Sequence, residues 1–244
     1  RYRAMTAEGK SKEEILKSFD KKRKMRIFTW KGDIDTVMTP RDSIRYYKNY
    51  LQGAMMSMNP QTGEVKAYVG GIDYKHFKYD MVSTGTRQIG STFKPFVYAT
   101  AIDQMHLSPC DILPNPPYCI PLGTRGNMND LCPKNSSDKY GGMLSLTNAL
   151  ANSVNTVTAR LIDRVGPEPV ITLVEKMGID TKNMLPVPSL ALGTPDVSLY
   201  EMVGAYSTFA NQGVYVKPSL ITRIEDKNGT VLYQHTPQTK DVIS

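Results

Sequence analysis

The stretch RQIGSTFKPFVYATAI, residues 87–102, sets a serine three residues ahead of a lysine where a glycine-bounded loop turns into an apolar run. Pro95 suits only the first turn of a helix, because deeper inside it would remove a hydrogen bond and clash with the preceding turn. The pattern therefore predicts a helix over about Ser91 to Met105, with Ser91 at or beside its N-terminus. Residues at i and i+3 share a helix face, so the amine of Lys94 can reach the hydroxyl of Ser91. Two readings follow. In one, Ser91 is a nucleophile and Lys94 its base. A free lysine, with a pKa of about 10.4, is almost wholly protonated at neutral pH, so this chemistry needs the amine buried. In the other, Ser91 is a helix cap worth about 1 kcal/mol and Lys94 a solvated charge.

Alone, Ser-x-x-Lys carries little weight, and the chain has two more, Ser18/Lys21 in a basic helix and Ser136/Lys139 in an irregular segment. Both read as surface coincidences. A second constellation adds weight to Ser91/Lys94. ALANSVNTVTARL contains Ser153-Val154-Asn155 at a break between two helical runs. A Ser-x-Asn at such a break can aim a hydroxyl and an amide at one cavity, or it can simply end one helix and cap the next. Ser57-Met58-Asn59 repeats the pattern but runs into a turn, where Asn is expected structurally.

Working outward, SKEEILKSF predicts a short helix capped by Ser11 and Glu14. Met25 to Trp30 reads as a strand, and Asp42 to Leu51 as a helix capped by Asp42 or Ser43. Ala54 to Met58 and Glu64 to Val69 form a hairpin around Asn59 to Gly63. Residues 71 to 90 read as loop and Leu107 to Tyr140 as irregular. Residues 145–166 read as helix, interruption, helix, stopped by Gly166; two further helices end at Gly178 and Gly213. A second hairpin turns at Asn228-Gly229. Hairpin, many helices, hairpin, without strand–helix–strand alternation, implies an α+β fold: an antiparallel sheet flanked by helices, plus a helical lobe.

At 244 residues, 40% hydrophobic and 22% charged, the chain can bury a substantial core. No apolar run approaches the roughly 18 residues needed to span a bilayer. The chain lacks a signal-peptide pattern and reads as a processed piece. Its net charge of +7 is concentrated in residues 1 to 26, with ten Lys/Arg against four Asp/Glu. A solvated basic face is the favoured reading. The remainder has no basic stripe with interleaved aromatics, which argues against nucleic acid as a partner. Cys110, Cys119 and Cys132 show no metal-ligand spacing, so neither a metal nor any other cofactor is expected. One disulfide with one thiol left over, or three free thiols, both fit.

RQIGSTFKPFVYATAI, ALANSVNTVTARL, GAMMSMNPQTGEVKAYVGG and LALGTPDVSLYEMVGAYSTFANQG occur in the order found in class A (bifunctional) penicillin-binding proteins, which the chain resembles over about residues 25 to 244. Ser-x-x-Lys with a Ser-x-Asn-type motif belongs to the signature of these enzymes and of β-lactamases. The resemblance implies a serine transpeptidase/β-lactamase-like fold, with residues 1–52 a basic interdomain segment and 53–244 a transpeptidase domain incomplete at its C-terminus. It implies Ser91 as the acylated nucleophile, Lys94 as proton acceptor, Ser153 as relay, and Asn155 as substrate-binding residue. The implied reaction is D-Ala-D-Ala transpeptidation on peptidoglycan stem peptides, with β-lactams acylating the same serine. It further implies a parent anchored at the extracytoplasmic face of the bacterial membrane, with an upstream glycosyltransferase domain. The alternative is a catalytically silent penicillin- or peptide-binding sensor of the same fold. Two departures stand out: no Lys-Thr-Gly or Lys-Ser-Gly occurs, and Asp80 stands where the family usually has Asn.

Overall fold

The computed structural model describes residues 2–243, which divide into two compact units. The first runs to Gly53 and takes in Gly71–Lys78; the second comprises Ala54–Gly70 and the chain from Tyr79 onward.

The first unit contains α1 (Tyr2–Ala7), α2 (Lys12–Phe19), β1 (Arg23–Ile27), β2 (Ile34–Met38) and α3 (Pro40–Lys48). Ser11 and Glu14 cap α2 reciprocally, as expected. β1 and β2 pair antiparallel, from Arg23 opposite Met38 to Ile27 opposite Ile34. The strand expected at Met25 to Trp30 thus begins and ends earlier. Thr29 and Gly32 exchange backbone bonds across the turn, which takes Phe28 and Trp30 out of the ladder. Phe28 is instead buried, edge-on to Tyr50 and Phe77, with its carbonyl accepting from the Tyr46 hydroxyl at 2.7 Å. α3 is capped by Thr39 rather than Asp42 or Ser43, because Pro40, with its fixed φ and missing N–H, starts the helix two residues sooner. Lys75 and His76, from the segment 71–78, meet Asp33.

The second unit opens with the expected hairpin, β3 (Met55–Met58) and β4 (Val65–Val69). Asn59 makes its turn by accepting the Gln61 and Thr62 N–H groups on its side-chain oxygen, so the Ser57/Asn59 pair is structural. Then come β5 (Thr86–Gln88), a 3₁₀ turn at Gly90–Phe93, α4 (Lys94–Met105), β6 (Ile112–Pro114), β7 (Met143–Ser145), α5 (Leu146–Ala151), α6 (Asn155–Val165) and α7 (Pro167–Lys176). A second 3₁₀ turn, Pro188–Leu192, leads to β8 (Asp196–Ser198), α8 (Leu199–Ala210), β9 (Val214–Val216), β10 (Arg223–Glu225), β11 (Val231–Gln234) and β12 (Thr239–Asp241). Each strand ladder is antiparallel, as the α+β reading requires, but they come as short two-stranded pairs: β3–β4, β5–β8, β6–β7, β9–β12 and β10–β11.

The core lies among the helices. Phe96, Val97 and Ala101 of α4, Val157, Leu161 and Ile162 of α6, and Val170 and Val174 of α7 are completely buried. Each such large side chain contributes on the order of 2 kcal/mol from burial. This packing fixes α4 against α6, and so fixes what stands at the start of each.

Candidate active site

Lys94 is the first residue of α4, and its side chain is 1% exposed, although lysine is among the residues least often buried. Its amine donates to the Ser153 carbonyl at 2.7 Å, the Ser153 hydroxyl at 2.9 Å and the Asn155 side-chain oxygen at 2.5 Å. An ammonium has three hydrogens, and three neutral oxygens receive them. No charged side chain acts on the amine, and burial alone pulls its pKa down from 10.5 to about 8. On that value roughly a tenth of the molecules carry a neutral amine at pH 7. The solvated-lysine reading of the sequence is therefore excluded.

Ser91 occupies the 3₁₀ turn just before α4 and is exposed. It is not the helix cap of the alternative reading: Phe93 stands at that position, and no side chain bonds the first N–H groups. Among the described residues the Ser91 hydroxyl has no hydrogen-bond partner, and the residue is exposed on the turn that leads into Lys94. That turn is held from two sides. The Gly90 N–H donates to the Gly193 carbonyl at 2.9 Å, and the Tyr206 hydroxyl of α8 donates to the Thr92 carbonyl at 2.6 Å. Gly193, at φ +73°, lies so close to Gly90 that a Cβ would overlap the Gly90 carbonyl.

Ser153 sits between α5 and α6 with φ +53°, a left-handed conformation costing a non-glycine residue about 1 kcal/mol or more. This geometry turns its carbonyl and its hydroxyl toward the same amine. The next residue, Val154, stands at the N-cap of α6 with nothing to cap with. The cap comes from Asn135, whose side-chain oxygen accepts the N–H of Asn155 at 3.0 Å and of Thr156 at 3.2 Å. Asn155 also donates its amide to the Lys134 carbonyl at 2.6 Å, which orients its oxygen toward Lys94. One of its two N–H bonds is thereby used, and among the described residues the other has no partner.

Of the sequence candidates, Lys94, Ser153 and Asn155 are joined directly, while Ser91 stands on the adjoining turn without bonding Lys94. Lys21 and Lys139, of the other two Ser-x-x-Lys pairs, are exposed. Asp80, the departure from the family pattern, organises its own loop. It accepts the N–H groups of Val82 and Ser83 and the hydroxyls of Ser83 and Tyr68. Burial works against its charge, but these bonds outweigh it and hold the pKa down at about 2. Asn135, Lys134, Gly193 and Tyr206 escaped the sequence reading. Cys119 and Cys132 form a disulfide and Cys110 is free and exposed, which decides between the alternatives left open. Among the described residues no group of His, Cys, Asp and Glu is arranged to hold a metal, and no helix is long and apolar enough to cross a membrane.

The penicillin-binding protein transpeptidase domain model matches residues 53–244, and the penicillin-binding protein middle domain model matches residues 1–51. The chain belongs to the penicillin-binding protein transpeptidase family. Its curated relatives include penicillin-binding protein 1A of Aquifex aeolicus, 37% identical over 79% of this chain and 26% of that protein. Penicillin-binding protein 1A of Pseudomonas aeruginosa is 34% identical over 76% of this chain and 22% of its own length. The crystal structure of penicillin-binding protein 1A from Haemophilus influenzae superposes with a TM-score of 0.71 at 30% identity, covering 77% of this chain and 28% of that one. PonA1 from Mycobacterium tuberculosis, at 21% identity and a TM-score of 0.64 over 96% of this chain and 62% of its own, shares the fold. The chain thus spans about a quarter of the length of the curated relatives it matches. The fold expectation, a transpeptidase built of helices and antiparallel strands, is met.

Proposed function

We propose that this chain is the serine acyl-transfer region of a peptidoglycan D,D-transpeptidase, with residues 53–244 forming the catalytic domain and residues 1–52 an interdomain segment. One observation carries the reading: a fully buried lysine at the fourth position of Ser-x-x-Lys, its amine bound by both polar side chains of a distant Ser-x-Asn corner. A structural lysine has no need of such a site, whereas a base with a lowered pKa does. Ser91 Oγ attacks the carbonyl carbon of the penultimate D-Ala, and its proton passes to the neutral Lys94 amine. Ser153 relays that proton to the departing nitrogen, terminal D-Ala leaves as the free amine, and an ester remains on Ser91. The amine of a neighbouring stem peptide then attacks the ester, restoring the hydroxyl. A β-lactam follows the first half of this path, and its opened ring stays on Ser91. The remaining N–H of Asn155 serves the peptide carbonyl. The open Ser91 hydroxyl suits this scheme, since catalytic hydrogen bonds are often loose before substrate binds.

The setting is the extracytoplasmic side of the bacterial envelope, which the Cys119–Cys132 disulfide supports, because such bonds persist in oxidising compartments. The Penicillin-binding protein 1A relatives support a parent that also carries a glycosyltransferase domain. Covalent labelling by a fluorescent penicillin tests the site. Label is expected on Ser91, lost in Ser91→Ala and kept in Ser18→Ala and Ser136→Ala; label surviving Ser91→Ala refutes the assignment. Release of D-Ala from a donor peptide then separates a transpeptidase from a silent binding module.

A further inference from the structure

We propose that Asn135 is a positioning residue of this site: by capping α6 from a distant loop, it holds the Ser153–Asn155 corner closed over the Lys94 amine. The inference rests on the function proposed above for its chemical consequence, but its geometry stands apart from it. Asn135 is 4% exposed, and all its side-chain capacity is engaged. Its oxygen takes the first two N–H groups of α6, which Val154 cannot satisfy. Its amide donates to the Asn115 side chain at 2.9 Å and to the Lys139 carbonyl at 3.0 Å. Asn115, itself buried, accepts the Thr156 hydroxyl at 2.6 Å, so the first turn of α6 is gripped twice by the same pair. The preceding residue, Lys134, supplies the carbonyl that fixes the Asn155 amide.

The loop that carries these groups is itself secured. Cys119–Cys132 closes it covalently, and Ile120 and Leu131 bridge its two arms by paired backbone bonds of 2.9 Å. Asn135 follows Cys132 by only three residues. A side chain anchored there transmits a fixed position to a helix start some 20 residues later. Removing it frees one buried and one half-buried N–H group directly beside the corner. Water entering to satisfy them reaches the amine of Lys94, whose unusual titration comes from burial alone. The hydrogen-bond partners of that amine, Ser153 and Asn155, are uncharged, and burial is the one cause of its lowered titration; the nearest charged residue on the capping loop, Lys134, is exposed and meets Asn155 through its backbone carbonyl.

The test is the titration of Lys94 in the full chain, followed by nuclear magnetic resonance of isotope-labelled lysine and assigned by its loss in Lys94→Met. Asn135→Ala is expected to raise the midpoint by about one unit or more, toward the ordinary lysine value. It should also slow acylation by a fluorescent penicillin at pH 7 by on the order of tenfold. Val170→Ala, a core truncation on α7, provides the stability control: a lower melting temperature with the Lys94 midpoint unmoved. Val154→Thr in the Asn135→Ala background puts a hydroxyl of the same shape at the vacant cap and should bring the midpoint back. Should Asn135→Ala fail to fold, Asn135→Ser is read in its place. A folded Asn135 variant with an unchanged Lys94 midpoint overturns the proposal, as does a shifted midpoint that Val154→Thr leaves in place. A wild-type chain that never acylates while the midpoint shifts as expected would refute the proposed chemistry and leave the positioning role standing.

Discussion

Replacing Lys94 by methionine removes the buried amine while keeping most of its volume, and the pH dependence of the effect follows from the structure. The amine titrates at about 8 in the folded chain, against 10.5 for the free side chain. Between these values the unfolded chain binds the proton and the folded chain does not, so stability rises with pH across that window. Below it the fold bears the full cost of a buried charge; above it both states are neutral and the cost vanishes. Integrated from about pH 7 to about pH 10, the gain is on the order of 2 to 3 kcal/mol for wild type and zero for Lys94→Met. Lys94 is 1% exposed, so solvent screening of its charge is weak. The three oxygens that lose their donor in Lys94→Met add a constant offset, which leaves the slope unchanged. Urea unfolding of both proteins across that range measures the difference, and every other titrating group cancels in the subtraction. A difference that stays flat from pH 7 to pH 10 would show an ordinary, hydrated amine, and the argument for Lys94 as a base would fall with it.

Ser153→Gly relieves a left-handed backbone strain of about 1 kcal/mol but removes the hydroxyl bonded to Lys94. Unfolding should show stability held or raised, while penicillin acylation falls at least tenfold. Gly193→Ala forces the Gly90 carbonyl aside and with it the turn bearing Ser91, so acylation should drop sharply while Lys94 still titrates low. Reducing Cys119–Cys132, which closes a 13-residue separation, should cost about 3 kcal/mol on chemical unfolding. In the native unreduced chain a thiol reagent should count one reactive cysteine, Cys110.

What could be read in the sequence was what depends on near neighbours. The spacing of Ser91 and Lys94, the placement of Pro95 and the break at Ser153–Asn155 are local, and the structure keeps each where the pattern put it. The Ser11–Glu14 capping box and the Asn228-Gly229 hairpin are local too. What escaped depends on pairing across long separations. β5 and β8 are three residues each and have no room to show a period, yet their pairing brings the 193–198 block to the turn that carries Ser91. Asn135 lay inside a stretch rich in Pro, Asn and Gly, where asparagine signals only a turn. Nothing in the order of residues says that one such asparagine will cap a helix opened by valine. The strand expected at Met25–Trp30 ends at Ile27 for a related reason: aromatic residues favour strands, but Phe28 leaves the ladder and packs in the ring cluster with Tyr50 and Phe77.

The joint between Gly90 and Gly193 is made wholly of peptide groups. No substitution can adjust it gradually: any residue larger than glycine at position 193 prises the two segments apart, and nothing smaller exists. Selection acting on this site, for instance under antibiotic pressure, has no fine control there. Adaptive change would have to accumulate on surrounding groups such as Tyr206, whose grip on the same turn runs through a side chain that can be exchanged.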